Sequence, residues 1–550
     1  MGRTTRQAPT LLLATAMAAA AVLYLALTWH FTFLLDSWEF LMNRRGFTAD
    51  ALLQPHNEHI VMIPVAIEQL LLRIFGMSSA KPEYVLLTIG LLVTAYLIFV
   101  YVSRRVGPWF GLFAAVLILF LGPAWELMLW PFEIVLLGSV LFGLAMLLAL
   151  DRGDRRGDVL ACVCLALSLG FSSVGIAFAA AALAAILVSP RERWRSRAFV
   201  FVIPVALFAV WYLGWGHNAE SHVSLHNILA SPRFVAEMVA AGIGNIFGLG
   251  SNPVGGATET FWGAILLVLI VGLVWARQLR RPGFDPGFWP VAAAAATGWF
   301  LTAFNQMPGR EPVSSRYQYT SAIFILLMLA NLLARERFGR RAVLVGAAVT
   351  LLAIGPNLVV LRDGRDFFET QSVLTRADTG AIEIARRTVA PEFQLSPEVA
   401  GTTGLVDVVA GKYLEAVDEY GSPAYSPDEL EAAPTYARKQ ADIVLGQALP
   451  LSTNTQAGVY AAGGGQENCL TIEGGQPEEV KLGPGATRIE VAPGPNTAFS
   501  LRRFAEPGEY PVATAGAPGE STTTLKIPRD EAPQPWYLHV EATQQVRVCR

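Results

Sequence analysis

Two carboxylates three residues apart stand directly after the first strongly apolar stretch of this chain. They are Asp36 and Glu39, in the run Leu35-Asp36-Ser37-Trp38-Glu39-Phe40. The run Gln54-Pro55-His56-Asn57-Glu58-His59 follows shortly after. A carboxylate within hydrogen-bond reach of a hydroxyl can take its proton as the oxygen attacks an electrophile. Imidazole and carboxylate together can orient a polar substrate or hold a divalent cation. A helix start capped by Asn57 explains the His56, Glu58, His59 run equally well. Further on, Glu126 and Glu133 flank Trp130-Pro131, an aromatic turn suited to stacking on a sugar or to lying at a membrane interface. Arg310 and Arg316 supply the opposite charge, with Tyr317 beside Arg316. Arginine's planar fork matches phosphate oxygens, and an arginine beside a tyrosine also serves as an interfacial anchor.

These groups are set in an apolar chain. Of its 550 residues 53% are hydrophobic and 15% charged, against about 25% charged in an average globular domain, which indicates a membrane protein. The apolar blocks end near residue 360. After that point 16 Lys and Arg face 26 Asp and Glu, about −10, leaving about +7 for the first part. An acidic tail argues against nucleic acid as a partner. Arg3 and Arg6 precede an apolar run that reaches Thr28. No small-x-small cleavage site follows it, so the run is expected to be a retained first span and not a removed signal.

Apolar stretches near 9–29, 84–103, 108–122, 132–150, 158–171, 173–189, 197–215, 260–276, 287–304, 318–334 and 341–360 predict about eleven spans. Arginines check the alternation. Arg104 and Arg105, Arg152 to Arg156, Arg191 to Arg197, Arg277 to Arg281 and Arg335 to Arg341 all fall on the side of the N-terminus, which the positive-inside rule makes cytoplasmic. The opposite, extracytoplasmic side then receives the 36–59 loop, the Glu126 to Glu133 turn, the 216–259 segment, the 305–317 loop and the whole tail. The stretches 60–76 and 233–250 do not fit the alternation and are expected to lie along or dip into the outer surface. His217, His222 and His226 form a loose outer cluster expected to be solvated.

The expected division is a transmembrane part over 1–360, a helical extracytoplasmic region over 361–455 and a β domain over 456–550. Helical spacing marks 367–387 and 436–445. Short alternating runs cut by Gly and Pro after 456 predict a small β-sandwich or jelly roll. The Gly463 to Gly465 stretch reads as a linker. Cys469 and Cys549 are the only cysteines after residue 360 and bracket the strand-like region. A bond between them fits an oxidising compartment. Cys162 and Cys164 lie in a predicted span and are expected to be packing residues.

The acidic pair after a first span, the many-span body and the outer tail together resemble the GT-C class of integral membrane glycosyltransferases. Asp36-Ser37-Trp38-Glu39 looks like the acidic motif of that class's first outer loop, with a looser spacing. Ser314-Ser315-Arg316-Tyr317-Gln318-Tyr319 is similar to an arginine-tyrosine element of related bacterial members. The resemblance implies a polytopic α-helical membrane fold and inverting transfer of a hexosyl or pentosyl group. The donor would be a polyprenyl-phosphate sugar, and the acceptor a saccharide or protein of the cell envelope at the outer face. Asp36 would be the base. Glu39 would hold the acceptor, bind a cation or raise the Asp36 pKa. His56, Glu58, His59, Glu126, Glu133, Arg310, Arg316 and Tyr317 would bind substrate. No cofactor is assigned, a divalent cation being one alternative. No GxxxxGK[ST], HExxH or GxSxG motif points to nucleotide-driven transport, a protease or an esterase. A flippase for lipid-linked saccharides and a non-catalytic envelope scaffold are the rival expectations.

Overall fold

A computed structural model describes residues 3–250, 260–280, 282–334, 336–458, 469–475, 477–514 and 516–549. Gly463 to Gly465, Arg281, Arg335 and part of the 216–259 segment lie outside the described residues. The chain forms two compact units. The first holds residues 1–30, 44–71 and 81–369, and the second holds 31–43, 72–80 and 370–550. This differs from a single boundary near 360, because two short segments of the apolar half fold with the tail.

The first unit is helical. A helix lies at each of the eleven apolar stretches. Among the described residues five are long and apolar enough to cross a membrane: Gln7–Thr28, Lys81–Arg105, Pro131–Leu150, Phe261–Arg280 and Arg340–Ile384. Two bent pairs, Pro108–Leu119 with Gly122–Leu129 and Arg191–Arg197 with Phe199–Gly214, raise the number to seven if each is one span. Five to seven is therefore the number supported, against the eleven expected. The others fall short for visible reasons. Gly175–Leu187 has 13 residues, about 20 Å of helix against a hydrocarbon core of about 30 Å. Arg155–Phe171 opens on Arg155, Arg156 and Asp158, and Ser315–Leu332 on Arg316. The 60–76 stretch forms only the 14-residue helix Met62–Phe75.

Small residues let these helices approach. A Cβ on Gly122 would sit 1.7 Å from the Asn357 carbonyl oxygen, and one on Gly263 would sit 1.8 Å from that of Ala240. Two ion pairs close helix ends that carry the arginine-rich turns. Arg105 bonds Asp151 at 3.0 Å and also the Asn331 side chain, and Arg197 bonds Asp158 at 2.9 Å. Cys164 is buried and Cys162 half-buried, both free thiols.

Among the described residues the second unit gathers short helices and nine strands. Trp38, fully buried, lies edge-on to Phe33 and Tyr413 with ring centroids about 6 Å apart. Its Nε1 donates to the Phe33 carbonyl. Lys412 Nζ donates to the Asn43 side chain at 2.8 Å. These contacts fix the 31–43 segment on the helix Ala410–Tyr420. The helix Thr435–Ala448 carries Asp442, fully buried, whose two oxygens accept the backbone N–H groups of Arg503, Phe504 and Ala505. That carboxylate ties the helix to the β domain.

The strands are β1 Ser452–Ala457, β2 Cys469–Ile472, β3 Glu478–Leu482, β4 Gly485–Val491, β5 Ala498–Arg502, β6 Val512–Ala513, β7 Ser521–Ile527, β8 Trp536–Glu541 and β9 Val546–Cys549. One antiparallel sheet has the order β1-β7-β4-β9-β2, the other β3-β8-β5-β6. Without β1, these are two four-stranded sheets in jelly-roll order. Alternate residues are buried along β8, as the pattern Trp536, Leu538, Val540 requires. Cys469 and Cys549 face each other in the β2–β9 register and are joined by a disulfide across 80 residues.

Closing a loop of that length restricts the unfolded chain by roughly 4–5 kcal/mol in the chain-entropy model. Cys469→Ser is therefore expected to lower the denaturant midpoint of the tail, and reductant to have the same effect on the parent and none on the variant. An unchanged midpoint in both would remove the bond from the stability of the β domain.

Candidate functional site

The structure brings eight of the ten residues singled out in the sequence into one network in the first unit. Its first part is a tight turn. His56 and His59 exchange both backbone hydrogen bonds, at 3.0 and 2.9 Å, across Asn57 and Glu58. Asn57 adopts a φ of 50°, a left-handed conformation that asparagine tolerates better than most residues. The run is thus a hairpin turn. The expected helix start capped by Asn57 is absent, since the next helix begins only at Met62. Ser173 steadies the turn, donating from Oγ to the Glu58 carbonyl.

Arg310, in the loop after the helix Phe288–Phe304, reaches back to this turn. Its Nη1 lies 2.6 Å from Glu58 Oε1, and both side chains are largely buried. Glu58 Oε2 is buried and has no partner among the described residues. Burial pushes the Glu58 carboxyl up, but His59 and Arg310 outweigh it and hold the group below the ordinary glutamate range. Burial is also the main influence on His59 and keeps its imidazole below the ordinary range, with Glu58 opposing. Near neutral pH the charged partner of Glu58 is therefore Arg310, and not His59 at 3.7 Å.

The second part joins Glu126 to Arg316. The Trp125–Leu129 helix carries Glu126, and Glu126 Oε2 accepts both the backbone N–H of Arg316, at 3.0 Å, and its Nε, at 3.2 Å. The Glu126 backbone N–H in turn donates to the Ser315 hydroxyl oxygen. The carboxylate thus caps the start of the helix Ser315–Leu332, where the first N–H groups lack intrahelical partners and negative charge is favoured. Glu133, buried, and Tyr317 link the two parts electrostatically. Arg316 is within reach of Glu133, and Tyr317 within reach of Arg310, Glu58 and Glu133.

An aromatic wall adjoins the turn. His56 meets Phe132 edge-on at 5.1 Å, Phe132 stacks on Trp130, and Trp130 and Trp125 pack on Phe368. Both indoles are buried in this packing. Phe132 and Ser173 went unremarked in the sequence, and Ser315 was named only as part of the arginine-tyrosine element. Ser315 beside Arg316 and Phe132 beside Glu133 were the available signals. Nothing local marked Ser173, which lies 115 residues from the carbonyl it bonds.

Asp36 and Glu39 both fall in the second unit, at the start of the helix Ser37–Asn43. The Glu39 N–H donates to the Asp36 carbonyl at 3.1 Å, and Leu35 before them has a φ of 48°. Among the described residues no three His, Cys, Asp or Glu side chains come together to hold a metal ion. The His217, His222 and His226 cluster is not uniformly solvated, because His222 Nε2 is buried.

No protein-family model matches the chain, and no curated protein sequence matches it. What fold and site define is a mostly helical protein with five to seven helices fit to cross a membrane and a C-terminal β-sheet region.

The Glu58–Arg310 pair is expected to couple by about 1–3 kcal/mol in a double-mutant cycle of Glu58→Gln and Arg310→Ala, read by thermal unfolding in detergent. A depressed carboxylate pKa contributes stability above its unfolded value and loses it as pH falls through the folded one. The coupling should therefore stay level from pH 8 to 5 and shrink below the usual 4.5. A coupling near zero at pH 7 would contradict the pairing.

Proposed function

We propose that the chain transfers a sugar from a polyprenyl-phosphate carrier to a cell-envelope acceptor, at the outer face of the membrane it crosses. In this reading the N-terminus is cytoplasmic and the tail extracytoplasmic. The observation that carries it is the charged network of Glu58, Arg310, Glu126, Arg316 and Glu133 among apolar helices. Charge in such a setting is costly and is retained for a task. The network suits a donor that joins a phosphate to a sugar. Arg310 and Arg316 would take the phosphate oxygens, and His56, His59, Tyr317 and the carboxylates the sugar hydroxyls.

The chemistry is a displacement at the anomeric carbon. The acceptor oxygen bonds to that carbon from the face opposite the phosphate, and the bond to the phosphate oxygen breaks. The electron pair leaves with the lipid phosphate, whose charge the arginines stabilise. The acceptor's proton passes to a carboxylate. That role is assigned to Asp36, with Glu39 holding the acceptor, on the strength of their sequence motif.

A carrier for lipid-linked saccharides is the main rival. Ion-coupled carriers hold charges near the middle of their spans. In the five long apolar helices the charged residues of the apolar windows lie at the ends, as Lys81, Glu83, Arg104 and Arg105 do in Lys81–Arg105. This favours chemistry at the membrane surface.

The test is a transfer assay with the purified full chain and a panel of radiolabelled polyprenyl-phosphate sugars. One donor is expected to give product. Asp36→Asn should lower the rate at least about a hundredfold with unchanged membrane insertion. Arg316→Met should chiefly raise the KM for the donor. Full activity in Asp36→Asn would remove Asp36 from the mechanism, and translocation without transfer would favour the carrier.

A further inference from the structure

Two arginine-rich turns of the first unit meet. One, residues 151–158, follows the apolar helix Pro131–Leu150 and opens the helix Arg155–Phe171. The other, Arg191–Arg197, opens the bent pair that continues as Phe199–Gly214. Arg155 joins them. Its Nη1 donates to the Ser196 carbonyl at 2.8 Å, and its guanidinium lies over the Phe199 ring at 4.2 Å. Arg197 pairs with Asp158 at 2.9 Å across the same gap. Together the two turns carry seven arginines and four carboxylates.

Three of those carboxylates are taken. Asp151 holds Arg105, Asp154 holds Arg152 and caps the helix through the Gly157 N–H, and Asp158 holds Arg197. Arg156, Arg193 and Arg195 are exposed and have no ion-pair partner among the described residues. The surplus does not serve the helix, because Arg155 and Arg156 stand in its first turn, where a cation is disfavoured. Apolar surface begins directly beside these groups. Val159, Val163, Val202 and Ile203, on the helices that follow the turns, are about half exposed, as are Leu187 and Val188 just before the second turn. In a chain with helices fit to cross a membrane, such a belt faces acyl chains and sets the turns at headgroup depth. Trp194, half-buried with its Nε1–H donated to the Ser189 carbonyl, suits the same depth.

The geometry points to a docking surface for anionic phospholipid. The headgroup phosphate meets Arg156, Arg193 and Arg195, whose planar forks match its oxygens. The acyl chains lie along the exposed valines and Ile203. A basic segment beside a span concentrates anionic lipid in this way. Every phospholipid brings a phosphate, so selection follows from net charge. A zwitterionic headgroup carries its own cation to a surface that already has a surplus of them, and an anionic headgroup does not. This surface shares no residue with the Glu58–Arg310 and Glu126–Arg316 network and does not depend on sugar transfer.

Native mass spectrometry of the purified full chain, titrated with phosphatidylglycerol or with phosphatidylcholine of the same acyl chains, tests this. The parent is expected to hold phosphatidylglycerol about tenfold more tightly. A triple variant, Arg156→Gln with Arg193→Gln and Arg195→Gln, should bring the two lipids close to parity, and the matching lysine triple should keep most of the preference. The three side chains are exposed and unpaired, so both triples are expected to keep the parent's unfolding midpoint. Excess glycerol 3-phosphate, which has the phosphate without the chains, should leave phosphatidylglycerol bound. Displacement by it would make this a site for soluble phosphate and overturn the lipid assignment. Equal retention of the two lipids by the parent, or an undiminished preference in the glutamine triple, would overturn it as well. Sugar transfer by the same preparation is a separate readout, and its absence would leave this surface untouched.

Discussion

A guanidinium beside apolar helices has to be neutralised where it sits, and Glu126 does this for Arg316. One carboxylate oxygen takes both the side-chain Nε–H and the backbone N–H of the same arginine, from 190 residues away. That bond caps a helix, anchors a broken apolar segment to it and places a cation at the helix start. The Glu58–Arg310 pair repeats the device with a turn in place of a helix. Between them the two pairs hold a polar floor in an otherwise apolar unit. The chemistry proposed for this protein depends on that floor.

The two units solve different physical problems. In the first, most backbone polar groups are satisfied within helices, and ion pairs such as Arg105–Asp151 and Arg197–Asp158 lie at helix ends, which suits a low-dielectric surrounding. In the second, polar groups tie elements together. Asp442 fixes a helix to the β domain through backbone N–H groups, Arg503 and Asp530 form a buried pair, and a disulfide closes the strand pair β2–β9. A domain of many short strands gains from such fastenings.

Much of this was legible in the sequence, for reasons of period and composition. Each of the eleven apolar runs coincides with a helix of the first unit, and alternation with Gly and Pro marked several strands of the tail, although β1 begins at Ser452, inside the region expected to be helical. Two lone cysteines in the tail identified their own bond. Hydropathy could not separate a helix long enough to cross from one of 13 residues, because both are apolar throughout. The helix-start alternative for the His56 to His59 run fails because asparagine serves both helix caps and left-handed turns, and only the distance to Met62 decides. The partners of Arg310 and Arg316 were named as site residues but not as pairs, since contacts across 252 and 190 residues leave no local trace. The segment carrying Asp36 and Glu39 follows an apolar run, yet Trp38 packs on Tyr413 in the second unit. A pairing of aromatics so distant in sequence has no periodic signature.

The role of the charged floor is open to direct measurement. Native mass spectrometry of the purified chain with a polyprenyl phosphate, compared with Arg316→Met and Glu126→Gln, reads retention of the lipid without needing an acceptor. Retention by the parent, with loss in Arg316→Met and weakening in Glu126→Gln, is the expected result. Equal retention by all three proteins would mean that the phosphate is held elsewhere and that Arg316 and Glu126 only brace the helix they cap.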